Sequence, residues 1–155
     1  MKLDVYLSNL FVLNQKLHVI HWNVVGTNFQ RVHEFTEELY DEMFEKFDTI
    51  AELYRMKDEF PPAKIKDYTD KTTIEEIKTD VTYDITESLE LVAADLELMR
   101  SLALEVREEH DEKGDFVVVN ELEDHVADYD KHIWFVRSML ADNAVDSKES
   151  KKSSK

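Results

Sequence analysis

The stretch LHVIHWNVVGTNFQRVHEFTEELYDEMFEKFDTIAE, residues 17 to 52, decides the fold. Gly26 follows a helical apolar pattern (Leu3, Leu7, Leu10, Leu17, Val24) and suits a C-terminal cap, while Thr27 or Asn28 suits the cap of a new helix starting near Gln30. A helical hairpin with its turn near residue 27 follows. Antiparallel helices joined there bring together residues whose numbers sum to about 54, so His21 faces His33 and Glu37 lies one turn deeper. On the second helix His33, Glu37, Phe44, Asp48 and Glu52 fall within a wedge of roughly 100° and share one face.

Along the helix axis these residues do not converge. At ~1.5 Å per residue, His33 and Asp48 stand ~22 Å apart, far beyond the ~2 Å bonds of one metal site. If His21, His33 and Glu37 bind a metal together with Asp48 and Glu52, the second pair comes from another copy of the chain. A two-fold axis between antiparallel copies of the second helix provides that arrangement. Imidazole plus carboxylate ligands suit Fe(II), Mn(II) or Zn(II), and the spacing does not choose among them. The same residues also suit a plainer description, two packed histidines and a solvated acidic stripe on a metal-free helical scaffold.

Outward from this hairpin, the few breakers mark the remaining connections: Pro61 and Pro62 in the second, Gly114 in the third. Helices are expected over about Leu3 to Val25, Gln30 to Met56, Asp84 to Glu112 and Phe116 to Ala141. Their inward stripes include Val32, Leu39, Met43 and Ile50 in the second, Leu89, Val92, Leu96 and Met99 in the third, and Val119, Leu122, Tyr129 and Val136 in the fourth. Between residues 57 and 83 the pattern weakens into a crossover. A short helix is expected after Pro62, and TTIEE resembles a capping box near Thr72 or Thr73. Two short-turn hairpins joined by a long crossover describe an all-α, ferritin-like four-helix bundle.

Composition agrees with that architecture. The 155 residues are 43% hydrophobic and 35% charged, with two glycines, two prolines and no cysteine, which fits one helical domain and excludes disulfides. No apolar run approaches the ~18 residues of a membrane span, and the MKLD start lacks a signal-peptide pattern, so a cytoplasmic location is expected. The net charge of −16 opposes nucleic-acid binding. Its distribution is uneven: the last nine residues, SKESKKSSK, carry a local +3, so residues 1 to 146 form an acidic domain and 147 to 155 a basic tail, expected to be disordered. That tail supports an alternative reading as a nucleoid-structuring DNA-binding protein, with weak backbone contacts only.

The usual Glu-x-x-His signature of an intra-bundle di-iron site is absent: the residues three before the six histidines are Gln15, His18, Gln30, Arg107, Leu122 and Tyr129. His18 reads as a core or supporting histidine and His110, in REEHDEK, as a solvated one. His125 and His132 read as surface partners of Glu121 and Asp128. Trp22 and Trp134 read as core or interface aromatics.

The runs LHVIHWNVVG, VHEFTEELYDEM, DTIAE and DKHIWFVRSML resemble the Dps family, the DNA-binding proteins from starved cells or mini-ferritins, over about residues 3 to 141. The HW pair, the second His twelve residues on, and the D-x-x-x-E pair keep that family's spacing. The resemblance implies a hollow homo-dodecamer that acts as a ferroxidase, oxidising Fe(II) with hydrogen peroxide or oxygen and storing Fe(III), and so protecting the cell from oxidative damage. It implies a site of His21, His33 and Glu37 from one subunit with Asp48 and Glu52 from its two-fold partner, open to other divalent metals as well as iron. The chain departs from the family pattern at Leu53, where an Arg is frequent, and at Asn120, where an acidic pore residue is frequent. It also lacks a lysine-rich N-terminal tail.

Overall fold

A computed structural model describes the backbone of residues 1 to 152 and the side chains of residues 1 to 141. Five helices follow in order: α1 (Lys2–Asn23), α2 (Phe29–Met56), α3 (Ile65–Lys71), α4 (Ile85–Asp111) and α5 (Phe116–Lys152). The four long helices make the expected all-α, ferritin-like bundle, with α1 against α2, α4 against α5, and α1 against α4. α3 is the short helix anticipated after the proline pair.

The apolar stripes meet in one core. Leu3, Leu7, Leu10, Leu13, Leu17 and Ile20 of α1 are buried against Val32, Leu39, Met43 and Ile50 of α2, Leu89, Val92, Leu96 and Met99 of α4, and Leu122 and Val136 of α5. Lys16 and Asp95, both buried, link α1 to α4 through a 2.7 Å ion pair. A buried charge of this kind is tolerable only because its partner is in place.

Three local expectations change. α1 ends at Asn23 because the backbone after it pairs with the end of the crossover: Tyr83 N–H donates to Asn23 O (3.0 Å) and Val25 N–H to Tyr83 O (2.9 Å). Gly26 sits in the turn that follows, at φ +131°, and a Cβ there would stand 2.9 Å from Ile85 Cγ1, so both backbone angle and space call for glycine. Thr72 and Thr73 start no helix, and Thr72 closes α3, its N–H donating to Tyr68 O (3.0 Å). Instead Asn9 of α1 accepts from the Thr72 hydroxyl (2.9 Å) and the Thr73 N–H (2.8 Å), tying an extended segment down. The capping box belongs to α4, where Asp84 accepts from Glu87 N–H (2.8 Å) and Glu87 accepts from Asp84 N–H (3.1 Å).

α5 continues past the expected end near Ala141, since fading apolar periodicity is not a breaker and no Gly or Pro intervenes. α5 carries the backbone across residue 146 without a break, and the side chains of residues 142 to 155 and the backbone of residues 153 to 155 lie outside the described residues. Among the described residues no helix is long and apolar enough to cross a membrane.

Candidate metal centre

The α1/α2 hairpin places His21 near the end of α1 opposite His33 near the start of α2. Their rings stack with centroids 3.6 Å apart and an interplanar angle of 18°. His21 Nδ1 lies 2.7 Å from His33 O, and His33 Nδ1 lies 2.8 Å from His21 O. A carbonyl oxygen only accepts, so each Nδ1 carries the proton and donates it. Each Nε2 is thereby left with a free lone pair, the form in which a neutral imidazole ligates a metal.

The surroundings reinforce this state. Burial pushes His21 below the ordinary imidazole range, against the upward pull of the His33 carbonyl and the Glu37 carboxylate, and so favours its neutral form. Tyr40 stands edge-on to His21 at 5.2 Å and Phe29 lies over His33 at 5.0 Å, closing the pair on two sides. Glu37, exposed one turn below His33, acts electrostatically on both His21 and Tyr40. His18, one turn up from His21, donates Nδ1–H to Asn14 O (2.7 Å) and stacks on Tyr40 at 3.7 Å.

The structure thus brings His21, His33 and Glu37 to one end of the hairpin. Asp48 and Glu52 it does not: both are exposed on the same outer face of α2, ~22 Å and ~28 Å beyond His33 along the helix. Among the described residues no group of three or more His, Cys, Asp or Glu side chains is close enough to hold a metal ion. Between the two halves, Phe44 is 63% exposed.

Other histidines differ from their sequence reading. His110 is buried, with Nδ1 2.9 Å from Asp115 Oδ2, because the Gly114 turn folds the start of α5 back over it. His125 is buried too, bonded to Glu121 at 3.0 Å on one side and to the Tyr6 hydroxyl at 2.9 Å on the other. Its signal was present, since it lies on the inward stripe between Leu122 and Tyr129. His132 pairs with Glu42 of α2 at 2.8 Å, while Asp128 takes Lys46. Trp22 and Trp134 are exposed rather than core residues.

Comparison with known proteins bears on this arrangement. The Ferritin family, described as a ferritin-like domain, matches residues 2–144. The DNA protection during starvation protein of Listeria innocua is 32% identical over 133 residues, covering 86% of this chain and 85% of the relative. The chain belongs to the Dps family of ferritin-like proteins. Antigen TpF1 of Treponema pallidum is 32% identical over 135 residues, covering 87% of this chain and 76% of the relative. Among solved structures, Dps from Listeria monocytogenes superposes with a TM-score of 0.86 at 31% identity, over 90% of this chain and 91% of the other. This Dps-family member therefore shares its bundle with solved structures from several bacteria.

Proposed function

We propose that this Dps-family protein is a ferroxidase and iron store, whose site is completed between two subunits by His21, His33 and Glu37 of one chain and Asp48 and Glu52 of the other. The observation that carries the reading is the reciprocal carbonyl bonding of His21 and His33, which leaves two Nε2 atoms unprotonated one turn along α2 from Glu37, yet too few ligands in one chain. Antiparallel association of two α2 helices supplies the rest. The midpoints of His33–Glu52 and of Glu37–Asp48 coincide between residues 42 and 43, so one two-fold axis brings both pairs together, and it passes beside exposed Phe44.

Fe(II) is the substrate. The acidic body attracts it, and the mixed imidazole and carboxylate set holds it while stabilising the ferric product. Two Fe(II) each give up one electron and one hydrogen peroxide takes both, consuming two protons and leaving water. The ferric ions then accumulate inside a dodecameric shell. DNA is protected in this reading by removing Fe(II) and peroxide rather than by coating the duplex, since residues 1 to 146 carry −19 once the tail's local +3 is set aside.

Native mass spectrometry during anaerobic Fe(II) titration tests the reading. A dodecamer that takes up iron in proportion to its two-fold interfaces is expected, and a monomer that binds no iron overturns it.

A further inference from the structure

Behind the outer face of α2, the bundle interior holds polar groups that iron binding at the interface does not use. Tyr6 of α1 and Tyr129 of α5 are fully buried with their hydroxyls 2.7 Å apart. Tyr6 Oη is 2.9 Å from His125 Nδ1, and His125 Nε2 is 3.0 Å from Glu121 Oε1. Chemistry assigns the donors. A carboxylate only accepts, so His125 Nε2 carries the proton and Nδ1 is an acceptor. Tyr6 donates to it, and having spent its single proton, Tyr6 accepts from Tyr129. The hydrogen bonds run one way, Tyr129 to Tyr6 to His125 to Glu121, from a sealed phenol pair to a carboxylate whose side chain is 31% exposed.

This chain lies close to the candidate centre. Lys46 Nζ stands 5.8 Å from the centroid of the Tyr129 ring, and Asp48 is two residues further along α2, about 200° round the helix on its exposed face. The pairing of Asn14 with Tyr40 O (2.7 Å) and of His21 with His33 puts Tyr6 at the level of Asp48. About one helix diameter, ~10 Å, separates the tyrosine pair from the carboxylate half of the site.

We propose that Tyr6, with His125 as its proton acceptor, stores one oxidising equivalent during iron oxidation, an inference that rests on the ferroxidase reading above. A lone Fe(II) reduces hydrogen peroxide by one electron, giving Fe(III), hydroxide and hydroxyl radical. Tyr6 supplies the missing electron: its O–H bond breaks, the proton passes to His125 Nδ1, and the electron converts the hydroxyl radical to hydroxide. The products are a neutral phenoxyl radical and an imidazolium held by Glu121. A second Fe(II) then reduces the phenoxyl while the proton returns from His125. The balance is again two Fe(II) oxidised and one peroxide reduced, with no radical released. Burial raises Tyr6 well above the usual phenol range, so the phenol does not ionise beforehand, and an adjacent neutral imidazole is the base that oxidation requires.

Rapid-freeze electron paramagnetic resonance on the assembled protein tests this, after mixing with Fe(II) at one ion per interface site and excess peroxide, with iron oxidation followed by absorbance in the same mixtures. A tyrosyl signal is expected that changes shape with ring-deuterated tyrosine, is lost in Tyr6→Phe, and survives in Tyr129→Phe, which removes only the outermost donor. An iron-free arm uses photo-oxidation by tris(bipyridine)ruthenium(II) with persulfate, and the same loss in Tyr6→Phe is expected there. Equal photo-generated signals in wild type and Tyr6→Phe overturn the assignment to Tyr6. Iron that is oxidised without a tyrosyl signal, or with one that survives in Tyr6→Phe, overturns the link to iron. Iron that stays ferrous defeats the ferroxidase reading and that link together, and the photo-oxidised arm then alone decides whether Tyr6 and His125 are a redox pair.

Discussion

His21 and His33 each donate Nδ1–H to the other's backbone carbonyl, at 2.7 and 2.8 Å, so that one pair of hydrogen bonds closes the hairpin and sets both tautomers. Closing the hairpin and leaving both Nε2 atoms unprotonated are the same event. Loss of either ring therefore removes one hairpin bond and one free Nε2 together.

His33→Ala is expected to slow iron oxidation by at least about tenfold, the lower scale on which loss even of an outer partner of a metal ligand acts. The His33 carbonyl that orients His21 remains in the variant, and the ring sits at the half-buried rim, so assembly should persist. Stopped-flow absorbance together with sedimentation velocity checks both halves. Unaltered kinetics would remove His33 from the ligand set.

Mixed assemblies test the division of the site between chains. His21→Ala/His33→Ala and Asp48→Ala/Glu52→Ala are each expected to be inactive. Unfolded together and reassembled at equal ratio, they form mixed dimers in about half of pairings, each with one whole site, so about a quarter of wild-type activity returns. A co-assembly of verified mixed composition that stays inactive would show that the partner supplies no ligands.

Phe44→Lys should weaken the two-fold contact. Burying a phenylalanine contributes about 1.5–3 kcal/mol per copy, and the substitution replaces that with two like charges near the axis. Sedimentation velocity should show smaller species whose circular dichroism remains helical, with iron oxidation falling in parallel. An intact assembly would place the two-fold contact elsewhere.

Acid should destabilise the fold through His125. Burial holds its imidazole down to about 3 in the native state, against 6.5 when unfolded, so between those values the unfolded chain carries a proton that the native chain lacks. Stability is fully present above the unfolded value and falls as pH drops, by about 1.4 kcal/mol per pH unit for one group. Urea unfolding at several pH values should show a shallower slope in His125→Leu by that amount. Equal slopes would assign the acid sensitivity to other groups.

Much of this molecule was legible along the chain. The periods of Leu3 to Ile20 and Val32 to Ile50, broken at Gly26, determined the hairpin, and the sum rule across its turn placed His21 against His33 from helix geometry alone. The separation of His33 from Asp48 along one helix was likewise fixed by the sequence, since rise per residue is a local constant. Tertiary structure alone decided the inward polar groups. His110 looked solvated amid charges until α5 folded over it, and Tyr6 meets His125, 119 positions away, only because the diagonal helices α1 and α5 both turn these side chains into the bundle interior. Local periodicity reports which face of a helix turns inward. It does not report which distant helix that face meets, because that choice is made by the packing of all the stripes at once.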